Sequence, residues 1–186
     1  MKKKGAIIYI GNYFESDRSN KNVWFEIPER IRMGGWDKIV VSRHFSKPIR
    51  LLDMLLTIIS RREDYDAALV DVFSGAAFIW AGLSAGLLKQ LGKPFVLNLR
   101  GGNLPDFAGR YPNWVMNVLS SAAQVVSPSP YLQEALKGSR KDIQVIPNPI
   151  EIQNFPYRRR EDVKPNLIWV RAFHEIYNPS LAPKVI

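Results

Sequence analysis

The chain contains no cysteine and only two histidines, His44 and His174. The first absence excludes disulfides, thiolate metal sites and a cysteine nucleophile, and it suits a reducing compartment. The second disfavours a histidine-rich metal centre. Long apolar runs are missing too. The longest, Gly75 to Leu88, has 14 residues, whereas a bilayer-spanning helix needs about 20. Lys2 to Lys4 followed by Gly5 to Ile10 imitates the start of a signal peptide, but the apolar run is too short and no small-residue cleavage site follows. Gly11 does not begin G-x-G-x-x-G, and G-x-x-x-x-G-K-[ST] is absent, which disfavours a dinucleotide or P-loop site in this domain. No G-x-S-x-G elbow exists, so a serine hydrolase has no support.

What remains is a chain of 186 residues, 46% of them hydrophobic. That is enough for one domain with a real core and the start of another. The formal charge is +9, and the first fifty residues hold 11 Lys+Arg against 5 Asp+Glu, an excess of 6. A basic face serves nucleic acid, an anionic membrane or a phosphorylated ligand. The basic residues are scattered and no recognition motif is present, so nucleic acid is the least favoured partner. The expected setting is cytoplasmic, with peripheral contact to an anionic inner membrane face.

Six short apolar runs read as strands: Ala6–Ile10, Lys38–Ser42, Ala67–Val72, Phe95–Leu99, Gln124–Ser127 and Asp142–Ile146. Helical patterns lie between them. Val23, Ile27 and Ile31 share one face, although Pro28 conflicts with a continuous helix. Leu52, Leu55, Leu56 and Ile59 mark an amphipathic helix ending at Arg61-Arg62. The run from Ser74-Gly75 is apolar nearly all round, and Gly82 and Gly86 suit close packing on a sheet. Val115, Val118, Leu119 and Ala122 form the next helix, and Leu132, Ala135 and Leu136 the last, capped by Ser127 or Ser129. Such alternation predicts an α/β fold with one parallel sheet covered on both faces. The usual strand order, 3-2-1-4-5-6, makes the first and fourth strands neighbours where the order reverses. Gly11-Asn12 and Arg100-Gly101-Gly102-Asn103 are then expected to face each other across a ligand crevice. Arg100 is either a surface arginine at a tight turn or a planar donor fork for phosphate or carboxylate.

Residues 150–165 read as a linker, with Arg158-Arg159-Arg160 a solvated run. Leu167 to Val170 reads as a new strand, and Pro179 opens a helical pattern. The expected division is a first domain over 1–149, the linker 150–165, and 166–186 as the truncated start of a second domain.

Val145-Ile146-Pro147-Asn148-Pro149, followed by Phe155, resembles the I-P-N-[GP] motif and trailing Phe at the domain junction of family-four retaining glycosyltransferases of the GT-B fold. Val126-Ser127-Pro128-Ser129 resembles their V-x-x-S segment. Phe95 to Gly101 resembles their fourth strand with its His/Arg-Gly loop, and Leu167 to Phe173 the strand that opens their nucleotide-binding domain. The resemblance implies a Rossmann-like, acceptor-side half of a GT-B enzyme that moves a sugar from a nucleotide-sugar to a polysaccharide or glycolipid acceptor. It implies no cofactor beyond the nucleotide-sugar co-substrate.

By this resemblance Gly11, Asn12 and Arg171 lie toward the donor phosphates. Arg100 stands where many members carry a histidine near the reacting sugar and is the candidate catalytic residue. Asp71, Ser74, Gly101, Gly102 and Asn103 line the acceptor cleft, with capping of the next helix as the other reading of Asp71. Asn148, His174 and Glu175 fall between the domains. The sequence departs from the family pattern in three places: Val170 replaces a glycine, Ile176 stands near the place of a lysine, and the family's E-x(7)-E segment falls beyond residue 186. The 186-residue chain alone is expected to be inactive, its second domain supplied in cis or in trans. A nucleotide-sugar epimerase half and a non-enzymatic module are the alternatives. Trp24, Trp36, Trp80 and Trp114 read as packing residues, and His44 as a surface or acceptor-cleft residue.

Overall fold

The computed structural model describes residues 5–11, 31, 34–41, 44 and 46–149, then 153, 156, 157, 159, 168, 170, 173 and 175–184. By internal contacts the chain divides into two compact units, Met1–Ile150 and Glu151–Ile186. The first holds a six-stranded parallel sheet: β1 Ala6–Ile10, β2 Asp37–Val41, β3 Ala67–Val72, β4 Phe95–Leu99, β5 Gln124–Ser127 and β6 Gln144–Val145. These are the six expected strands, the last cut to two residues before Pro147. The chain has an α/β, Rossmann-like fold.

The strand order is β2-β1-β3-β4-β5-β6. This corrects the expected order: β3 lies between β1 and β4, and the order reverses between β1 and β3. The reason is visible in burial. Asp37 is exposed and Lys38 to Val40 are only half-buried, as suits an edge strand, whereas Ala68, Val70, Asp71 and Val72 are buried, as suits a central one. A lysine and an aspartate are tolerated where one side of the ladder faces water.

Five α-helices are described: α1 Lys47–Ser60, α2 Ala76–Gln90, α3 Leu104–Arg110, α4 Pro112–Ser121 and α5 Pro130–Ala135. Met54 and Ile58 of α1, Phe78, Ala81, Ala85 and Leu88 of α2, Leu104 of α3, Val115 and Leu119 of α4 and Leu132 of α5 join one core. On the sheet that core takes Ile8, Ile10, Ala68, Val70, Val72, Phe95, Leu97, Leu99 and Val125. These strand residues alternate, so the described helices cover one face of the sheet. The helix expected over 23–34 lies outside the described residues except at Ile31, which is helical.

Two helical expectations are corrected. In α1 the residues turned inward are Arg50, Met54 and Ile58, while Leu52, Leu56 and Ile59 face water. The inward row also has the right period, and Arg50 is accommodated by donating Nε to the His44 carbonyl at 2.8 Å and lying over the Trp80 ring. In α2, Gly82 packs not on the sheet but beside Trp114 and Val118 of α4, and Gly86 is exposed. Helix α3 was not expected at all. Pro105 sits in its first turn, where a missing N–H costs nothing. Ser129 caps α5 by accepting from the Leu132 N–H at 3.4 Å, a contact of the kind worth about 1 kcal/mol.

In the second unit the described residues form two short 3-10 helices, Glu175–Tyr177 and Pro179–Lys184. Ile168 and Val170 are more than three-quarters exposed and carry no strand pairing. A strand without a neighbour has nowhere to send its ladder hydrogen bonds.

Candidate functional site

The carboxyl ends of β1, β3 and β4 lie along one edge of the sheet, and period-two alternation decides which side chains meet there. The register pairs Tyr9 with Leu69 and Asp71 with Asn98. Tyr9, Asp71, Asn98 and Arg100 therefore project from the same face, opposite the helical core. That face carries polar side chains at the carboxyl edge of β1, β3 and β4, three strands that are otherwise apolar.

Asp71 is the hub. It is 7% exposed and accepts three side-chain hydrogen bonds: from the Tyr9 hydroxyl at 2.5 Å, from Asn98 Nδ2 at 2.7 Å and from Arg100 Nε at 3.4 Å. Burial pushes its carboxyl group above the usual carboxylate range; the Arg100 charge and the three donors oppose this only in part. Arg100 is itself 2% exposed. Its backbone N–H donates to the Val72 carbonyl at 2.8 Å, and its Nη1 donates to Asn148 Oδ1 at 2.6 Å. One arginine thus ties the end of β3 to the Pro147-Asn148-Pro149 segment after β6.

Gly11 closes the hub from the side of β1. A Cβ there would stand 2.9 Å from Asp71 Oδ2 and 3.2 Å from the Tyr9 hydroxyl. Only hydrogen fits. Gly11 and Arg100 therefore do not face each other across a crevice between adjacent strands, as expected; β3 separates β1 from β4, and each of the two residues lies against Asp71 of that intervening strand. Asn12 lies outside the described residues. So do Arg171 and His174, and Glu175 belongs to the second unit.

The loops above the hub are open. Ser74 is half-buried and precedes Gly75, whose φ of 68° admits the turn into α2. Gly101 takes a φ of 88°, while Gly102 and Asn103 are exposed with free space around both glycines. Asp71 does not cap α2; Gly75 stands at the cap position. Chemically the edge offers hydroxyl- and amide-binding groups above a buried, charge-matched ion pair. Two shallow grooves lie elsewhere, one among α3, α4 and α5 and one at the amino ends of β4 and β5, and neither includes a hub residue.

The sequence reading missed Tyr9 and Asn98. The signal was there: each is a polar side chain two residues before Gly11 or Arg100 in an otherwise apolar strand, hence on the same face.

Residues 18–154, about three quarters of the chain, match the family model described as Glycosyltransferase Family 4. The chain belongs to that family. No curated protein matches it. The family-4 match spans β2 to β6 and includes Asp71, Asn98, Arg100 and Asn148, while Tyr9 and Gly11 precede it.

Proposed function

We propose that this family-4 domain is the acceptor-side half of a retaining glycosyltransferase that moves a sugar from a nucleotide-sugar to a polysaccharide or glycolipid acceptor. The observation that carries the reading is the hub of Asp71, Asn98, Arg100 and Asn148 at the carboxyl edge of the sheet, where open α/β sheets bind ligands. In this reading Ser74, Gly101, Gly102 and Asn103 meet the acceptor, and Gly11 and Asn12 approach the donor phosphates. In the same reading Asn148 belongs to the junction between the domains, and His174 and Glu175 to the start of the second domain.

Burial supports a positioning role for Arg100. Its guanidinium is committed to Asp71 and Asn148, so it acts by holding the junction segment against the sheet. Charge for the departing nucleoside diphosphate then falls to Arg171, without a metal. The nucleotide-sugar is held by a second domain, supplied in cis or in trans, and the 186-residue chain alone turns over no donor. A glycolipid acceptor would place the domain at the cytoplasmic membrane face, where the net charge of +9 suits anionic lipid. No described helix is long and apolar enough to cross a bilayer.

The test is transfer of labelled sugar from uridine- and guanosine-diphosphate sugars to saccharide and lipid acceptors. The protein is assayed alone and joined to its nucleotide-binding domain. Label transfer by the joined protein only, with the anomeric configuration retained, supports the reading. Turnover by the 186-residue chain alone refutes the division of labour.

A further inference from the structure

Helix α1 presents an apolar row to water. Ile49, Leu52, Leu56 and Ile59 are 53%, 57%, 55% and 42% exposed. The spacing is three, four, three, which is that of a coiled-coil seam. The row is also its own mirror. The identities read Ile-Leu-Leu-Ile, and the positions are symmetric about Met54, which faces the core. Helix α2 packs against α1 and adds Ile79 and Leu83, each nearly half exposed. Six half-exposed aliphatic side chains leave roughly 500 Å² of apolar surface, near the upper limit for a monomer.

We propose that this face is covered by a second copy of the chain, with α1 packed antiparallel to its twin about a two-fold axis opposite Met54. A closed two-fold interface must be self-complementary. Antiparallel pairing sets Ile49 against Ile59 of the partner subunit and Leu52 against Leu56 of the partner subunit. Every apolar residue of the row then meets another. Charge favours a protein partner over anionic lipid at this face. Arg61 and Arg62, at the end of α1, are paired with Asp64 and Glu63. The row has no aromatic residue of the kind that anchors helices at a membrane surface. The inference is independent of the sugar-transfer reading.

Sedimentation equilibrium of the full 186-residue chain tests it. A concentration-dependent mass of twice 21.2 kDa is expected, falling to the single mass in Leu52→Glu/Leu56→Glu. Both side chains are exposed, so that variant keeps the wild-type circular dichroism. Orientation is read by disulfide trapping, for which the cysteine-free chain gives a clean background. Ile49→Cys mixed with Ile59→Cys forms a crosslinked dimer under mild oxidation, and neither variant does so alone. A wild type that stays monomeric at 100 μM (roughly −5.5 kcal/mol of association) overturns the proposal. So does crosslinking of Ile49→Cys with itself. Binding to phosphatidylglycerol vesicles that is lost in Leu52→Glu/Leu56→Glu would assign the face to lipid and overturn it as well.

Discussion

Replacing Arg100 by methionine keeps the volume of the side chain and deletes its charge. Asp71 is then left buried without its cation, and Asn148 Oδ1 loses its donor. Breaking one partner of a buried ion pair costs about 3–5 kcal/mol, whereas removing a surface arginine moves stability by about 0.5 kcal/mol or less. For a chain of this size each kcal/mol lowers Tm by about 2–4 °C, so a fall of roughly 6–20 °C is expected. The pH dependence follows from Asp71. Burial raises its folded-state affinity for a proton above that of the unfolded chain. A group of that kind favours folding at low pH, and the benefit is lost as pH rises through the folded-state value. Removing Arg100 deletes the charge that opposes this effect and enlarges it. The loss in Arg100→Met is therefore full at pH 8 and shrinks at pH 5. Urea unfolding followed by circular dichroism at both pH values measures it. A loss under about 1 kcal/mol at pH 8, or one equal at both pH values, refutes the coupling.

Gly11→Ala drives a methyl group against Asp71 Oδ2 at 2.9 Å and is expected to cost about 1–3 kcal/mol by thermal melting. Gly102→Ala, with nothing within 4 Å, serves as its control and stays within about 0.5 kcal/mol of wild type. Gly101→Ala, at a φ of 88°, loses about 1–2 kcal/mol although the site has room, which separates backbone strain from crowding. Ser84 Oγ is the one buried side-chain polar atom without a partner among the described residues. Ser84→Ala should leave stability unchanged or raise it by up to about 1 kcal/mol, since no hydrogen bond is lost.

The strands were legible because each is a short apolar run bounded by turn residues, and Pro147 marked the end of the last. Their order was not. A run of Ala, Leu and Val such as Ala67–Val72 signals burial but not which strand lies beside it. The edge marker was available in Asp37-Lys38, which identified β2 as peripheral and so ruled out a central place for it. Helix α1 shows a different limit. Its apolar residues fill two opposite rows, so periodicity found the helix but could not say which row meets the sheet. The core took the row with Met54 and Ile58 even though Arg50 sits in it, because that cation has a carbonyl and a tryptophan face to bind. At the candidate site, Arg100 and Asp71 stood out as charges at strand ends. Their contact depended on β3 and β4 being paired in register at Asp71 and Asn98, which residue identity alone does not specify.

In the function proposed, the acceptor is met at the carboxyl edge of the sheet. The most direct measurement is label transfer from a nucleotide-sugar by the protein joined to the proposed nucleotide-binding domain. Ser74→Ala and Asn103→Ala, at that edge, are compared with Lys89→Ala and Gln90→Ala, exposed at the far end of α2. The first pair should lower kcat/KM by about tenfold each, the loss of one well-placed contact, with melting temperatures unchanged and the second pair indistinguishable from wild type. Equal activity in all four variants, or losses confined to Lys89 and Gln90, would contradict it.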